Sequence, residues 1–85
     1  MKYTVEVTLK ARKSLQKIDP VFSKKIRDRL RSLEEHPRPR DCLKLEGSDN
    51  AYRTRVGRYR IVYEIHEKNV FIVVVNIDHR KDVYR

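Results

Sequence analysis

The sequence predicts an α+β fold, with a helical hairpin packed on one face of a small twisted, mostly antiparallel sheet. The expected order is β-α-α-β-β-β with a short C-terminal tail. Three observations carry the prediction. Residues 51–65, AYRTRVGRYRIVYEI, alternate in polarity on both sides of Gly57-Arg58, as a β-hairpin does. Phe22, Ile26, Leu30 and Leu33 recur at spacings of four, four and three, the period of a helix with one apolar side. Residues 70–77, VFIVVVNI, are apolar on both faces, as in an interior strand. With 85 residues the chain makes one domain, 1–85. Such a domain buries roughly 60–65% of its unfolded surface and has no deep interdomain cleft.

Each element has a local cause. Residues 2–7 alternate, with Tyr3, Val5 and Val7 on one side and Lys2, Thr4 and Glu6 on the other. Thr8 is placed to cap a short helix running to about Ile18, with Ala11, Leu15 and Ile18 inward. Asp19-Pro20 restarts the chain, Asp as N-cap and Pro at the first helical position. The second helix is expected to reach about Glu35. Pro37 and Pro39 push the residues before them out of helical geometry, so a stiff linker follows. Residues 42–47, CLKLEG, form a short strand or turn, and 48–50 a loop.

The central hairpin then closes on a two-residue loop that opens with Gly, which suits a type II′ turn. That turn sets Val56 opposite Tyr59, Arg55 opposite Arg60, Thr54 opposite Ile61 and Arg53 opposite Val62. Tyr52, Thr54, Val56, Tyr59, Ile61, Tyr63 and Ile65 share a core face. Arg53, Arg55, Arg60, Val62 and Glu64 share the other. Residues 66–69 turn the chain into the last strand. Continuing the register puts Val73 opposite Val62 and Val75 opposite Arg60, edging the arginines with aliphatic side chains. Residues 78–85, DHRKDVYR, close the chain as a polar tail.

Composition narrows the function. There are 21 basic and 12 acidic residues, a formal net charge of +9, which favours a polyanionic partner. That polyanion could be nucleic acid, a membrane surface or an acidic protein. No apolar run approaches the roughly 18 residues of a spanning helix, and no membrane is among the expected partners. The opening residues alternate and give no sign of a signal peptide. The single Cys42 has no intrachain partner, and no Cys or His pair has zinc-ligand spacing. A cytoplasmic protein without metal or cofactor is expected.

The arginine face is the strongest chemical signal. Arg55 opposite Arg60 costs stability unless an anion lies nearby, and guanidinium forks match phosphate oxygens. The tail adds His79, able to exchange a proton near neutrality, Arg80, and Tyr84, on which a base could stack. Lys24, Arg27 and Arg31 on the second helix read first as a solvated face. With Arg58 and Lys81 they are also candidates for contacts along an RNA backbone. Glu46, Glu64, Cys42, His36 and His66 read as ordinary surface, pairing or turn residues.

These stretches resemble a known family. TLKARKSLQKID, KLEG, AYRTRVGRYRIVYEI and IDHRKDVYR together are similar to the RelE/ParE superfamily of toxins from toxin–antitoxin pairs. The resemblance implies a cognate antitoxin that wraps the toxin, and through it contact with operator DNA. It implies two alternative activities. RelE-like members are ribosome-dependent endonucleases that cut mRNA; ParE-like members inhibit DNA gyrase without nuclease activity. The RelE-like roles fall on Arg53, Arg55, Arg60, Arg80 and Tyr84, which favours mRNA and the ribosome as partners. Two positions often occupied by Lys in the family, one of them thought to be the general base, are Arg53 and Arg55 here. Arginine is effectively always protonated. Either His79 or Tyr84 then moves the proton, or catalysis rests on charge stabilisation.

Overall fold

The computed structural model describes residues 2–79. The elements are β1 (Thr4–Val7), α1 (Leu9–Gln16), α2 (Pro20–Ser32), β2 (Leu43–Lys44), β3 (Ala51–Val56), β4 (Tyr59–His66) and β5 (Phe71–His79). They form one five-stranded sheet in the order β1-β5-β4-β3-β2. Only β1 and β5 pair in parallel; the other neighbours are antiparallel. The expected α+β architecture is therefore present.

The caps expected of the sequence form. The Thr8 hydroxyl accepts from the Ala11 amide and opens α1, and the Asp19 carboxylate accepts from the Val21 amide and opens α2. Both helices end earlier than expected, α1 at Gln16 and α2 at Ser32. In each case the next residues tighten into i→i−3 hydrogen bonds, Ile18 to Leu15 and Glu34 to Arg31. Leu33 stays buried beyond the last helical turn. The first strand begins at Thr4, because the Tyr3 amide donates to the Glu34 carbonyl at 2.7 Å instead of joining the sheet.

The hairpin register is the expected one, with Arg55 opposite Arg60 and Val56 opposite Tyr59. Gly57 takes a left-handed φ of +59° while Arg58 does not, the pattern of a type II′ turn. A Cβ on Gly57 would also come within 2.9 Å of the Phe22 ring. The core lies between the helices and one sheet face: Ala11, Leu15, Ile26, Leu30 and Leu33 against Val56, Ile61, Tyr63, Ile65, Ile72, Val74 and Ile77.

The pairing of β4 with β5 differs from expectation. The residues opposite Val62 and Arg60 are Asn76 and Asp78, not Val73 and Val75. Two features move the register. The loop between the strands takes in Glu67 to Val70, with Val70 at φ +53°, so pairing starts at His66 opposite Phe71. A bulge then falls between Tyr63–Val74 and Val62–Asn76, leaving Val75 as the extra residue. Past it, Ile77 instead of Asn76 points into the core. The Thr8 hydroxyl lies 3.3 Å from the Val75 carbonyl, and the Thr8 amide donates to the Val74 carbonyl, so the start of α1 pins the bulge. Asp78 and His79, expected in the tail, belong to β5. The expected tail residues Arg80, Lys81 and Tyr84 lie outside the described residues.

A polar cluster around buried Thr54 fixes the other side of the sheet. Thr54, fully buried, accepts from Arg29 Nη1 at 2.6 Å and donates to Asp41 Oδ1 at 2.7 Å. Asp41 also faces Arg29 Nη1 at 3.3 Å and accepts from the Arg55 amide. Partial burial pushes the Asp41 carboxyl up, but the Thr54 hydroxyl and the Arg29 charge outweigh it, and the net shift is downward.

Two stability predictions follow from these contacts. Thr8→Val removes a helix cap and a partner of the bulge, and urea unfolding should show a loss of about 1–2 kcal/mol. Asp41→Ala should destabilise by a similar amount, about 1–3 kcal/mol, because buried Thr54 loses its acceptor. The ionic part of the Asp41 contribution has a definite pH dependence. A carboxyl lowered on folding stabilises above its unfolded value of 3.8 and loses that contribution as pH falls through the folded value. The gap between wild type and Asp41→Ala should therefore narrow below about pH 4.

Candidate functional site

The sheet face away from the helices carries the arginines. Strand alternation puts Arg53 and Arg55 of β3 on it, and the register sets Arg60 of β4 directly across from Arg55. Arg58 stands in the turn at the same end, and exposed Leu43 of β2 lies beside Arg53. Among the described residues no carboxylate lies within 4.0 Å of the guanidinium nitrogens of Arg53, Arg55 or Arg58. Two guanidinium groups held opposite each other repel. The face therefore concentrates positive charge that its own acidic groups do not fully neutralise.

Arg60 differs from its neighbours. Its Nη2 lies 3.9 Å from Asp78 Oδ2, and the same oxygen accepts from Asn76 Nδ2 at 2.7 Å. The Arg60 Nε is buried and has no hydrogen-bond partner among the described residues. A buried N–H without an acceptor is costly. The arginines are thus edged by Asn76 and Asp78, not by the aliphatic side chains the simple register implied.

Further along the face, His66 Nε2 lies 3.0 Å from Glu64 Oε1 and stacks on Phe71 with centroids 4.5 Å apart. At the adjacent loop, Arg38 covers the Tyr52 ring and bonds both the Tyr52 hydroxyl and the Glu67 carboxylate. Those hydrogen bonds raise the Arg38 pKa above its ordinary value. Burial likewise raises the Tyr63 phenol, which donates to the Pro37 carbonyl at 2.8 Å. These contacts brace the 36–40 linker; none reaches the arginines.

Two groups of expected site residues are not brought to this face. His79 is paired with Tyr59 and meets its ring edge-on at 5.2 Å. Tyr59 in turn packs against Phe22 of α2. His79 therefore lies on the helix side, opposite its neighbour Asp78, which corrects the expectation that the last strand delivers it beside the arginines. The bulge supplies the reason, since it sets the phase of Asn76 to His79. Lys24, Arg27 and Arg31 lie in the helical layer on the far side of the sheet. Lys24 and Arg31 both approach Asp28, at 3.2 and 4.0 Å. Arg27 borders a groove of about 760 Å³ with Arg12, Val5, Val7, Leu15 and Leu30. That groove is mainly aliphatic and suits docking more than chemistry.

Sequence reasoning missed two participants. Asp78 was assigned to the tail, although Asn76 and Asp78 alternate about Ile77 and signal a change of phase. Asp41 gave no signal in the sequence, since its partners are distant Arg29 and Thr54.

Comparisons with known proteins give the family. A family model described as the ParE toxin of the type II toxin–antitoxin system parDE matches residues 5–84. The protein named RelE1 in Methanocaldococcus jannaschii is 31% identical over 88 residues, covering all of this chain and 98% of its own length. Toxin RelG of Mycobacterium tuberculosis is 32% identical over 87 residues, covering all of this chain and 99% of its own. Among solved structures, the archaeal RelE–RelB complex from Pyrococcus horikoshii OT3 contains a similar chain at 30% identity and a TM-score of 0.85. That match covers 94% of this chain and 97% of the other. With its helical hairpin, its mixed sheet and a match over nearly its whole length, the chain belongs to the RelE/ParE superfamily of type II toxin–antitoxin toxins.

Proposed function

We propose that the protein is a RelE-type toxin that cleaves mRNA on the ribosome and is held inactive by a cognate antitoxin. The observation that carries this reading is the convergence of Arg53, Arg55 and Arg60 on one open sheet face, two of them with no carboxylate at the guanidinium group among the described residues. The RelE–RelB complex from P. horikoshii supports the antitoxin partner.

RNA contains its own nucleophile, the 2′-hydroxyl. The protein has to hold that oxygen in line with the adjacent phosphorus and stabilise charge on the phosphate oxygens. In this reading Arg60 grips the scissile phosphate, with Arg80 as a second cation, while Arg53 and Arg55 hold the neighbouring phosphates. Arg58 and Lys81 extend the backbone contacts, and Tyr84 stacks on a base. Preorganised donors of this kind contribute on the order of 3–4 kcal/mol each to the transition state. With His79 on the helix side, charge stabilisation carries more of the reaction than that histidine does. The ribosome supplies orientation of the message, an entropic contribution that a small open face cannot make alone.

The second reading is inhibition of DNA gyrase, favoured by the ParE description of the matching family model. There the same basic face would dock on protein and cut nothing.

Primer extension on mRNA after induction separates the two. Wild type should give codon-phased cuts, and Arg60→Ala should reduce cutting about 10²–10³-fold with the fold retained by circular dichroism. DNA damage with intact message would support the gyrase reading, and equal cutting by Arg60→Ala would reject the assigned site.

A further inference from the structure

Cleavage through the 2′-hydroxyl needs a group that accepts its proton, and no arginine can do so. On β4 and β5 the arginine face offers two carboxylates, Asp78 and Glu64. Glu64 is four residues along β4 from Arg60, ~13 Å at strand rise, and its Oε1 is engaged by His66. Asp78 is directly opposite Arg60.

We propose that Asp78 is the general base of this site; the proposal rests on the mRNA-cleavage reading. Three features of the geometry support it. The bulge at Val75 turns Asp78 onto the arginine face, whereas an unbroken alternation from Ile72 and Val74 would have turned it inward with the core. Asn76 holds Oδ2 at 2.7 Å, which fixes the carboxylate beside Arg60 while its side chain remains 29% exposed to an incoming substrate. The pair with Arg60 is long, 3.9 Å, and the Arg60 Nε still lacks an acceptor among the described residues. A phosphate bound by Arg60 would therefore sit next to a proton acceptor without having to displace a tight ion pair.

The step balances. The 2′-hydroxyl proton passes to the Asp78 carboxylate, and the O2′ electron pair forms a bond to phosphorus. The P–O5′ bond breaks with its pair on O5′, which takes a proton from water. The hydroxide left behind removes the proton from Asp78. The products are a 2′,3′-cyclic phosphate and a 5′-hydroxyl, and the enzyme returns to its starting state. Positioned bases of this type contribute typically 10²–10⁴-fold in rate.

The test compares wild type, Asp78→Asn and Asp78→Glu, measuring single-turnover cleavage of mRNA on purified ribosomes and filter binding of a single-stranded RNA oligonucleotide. Asp78→Asn retains an amide oxygen that can accept the hydrogen bond from Asn76 and removes the negative charge. It should lower cleavage at least 10²-fold while binding RNA as tightly as wild type or more so, and Asp78→Glu should recover part of the rate. Cleavage by Asp78→Asn within about threefold of wild type would overturn the proposal. Equal losses of cleavage and binding would also overturn it, since Asp78 would then only position Arg60. Absence of cutting by wild type would overturn the nuclease reading itself, and the general base with it.

Discussion

The site depends on one extra residue in the last strand. Val75 has no partner on β4, and its insertion reverses the phase of Asn76 to His79. Before the bulge Ile72 and Val74 fill the core; after it Ile77 does, and Asn76 and Asp78 face outward. Without the bulge an amide and a carboxylate would enter the apolar layer while Ile77 left it, a change no domain of this size could absorb. The hydroxyl of Thr8 binds the bulge to the start of α1. The helical hairpin and the chemistry of the opposite face are thus coupled through the backbone of β5.

The same coupling explains how a small sheet tolerates clustered cations. Arg55 and Arg60 oppose each other across the hairpin, with Arg53 two residues away. Asp78 offsets part of the repulsion on the Arg60 side. On the other side, the Arg29–Thr54–Asp41 cluster, with Thr54 at its buried centre, holds β3 from beneath and takes the Arg55 amide. The arginine side chains therefore stand on a backbone fixed at both margins. In a domain with formal net charge +9, that rigidity separates a binding face from general basicity.

Much of this could be read from residue order, for reasons that differ by element. The β3–β4 register followed from a two-residue turn with Gly57 at positive φ, which leaves only one way to pair the strands. The helix starts followed from Thr8 and Asp19, whose side chains bond amides two or three residues on. The register of β5 did not follow, because its loop places the β-branched Val70 at φ +53° and because bulges carry no fixed sequence mark. That single error placed His79 on the wrong side and hid Asp78. The basic residues of α2 were legible as a separate patch, because the helices pack on the core face of the hairpin and the arginines occupy the other. Asp41 was invisible because long-range polar clusters leave no periodic trace.

The central claim is that the arginine face, and not the basic side of the helices, grips single-stranded RNA. The salt dependence of RNA affinity tests it most directly, because each phosphate contact adds about 0.7 to the slope of log affinity against log salt. Replacing Arg53, Arg55 and Arg60 together by Gln should reduce that slope by about 2. A slope unchanged in that variant, but reduced when Lys24, Arg27 and Arg31 are replaced instead, would contradict the account.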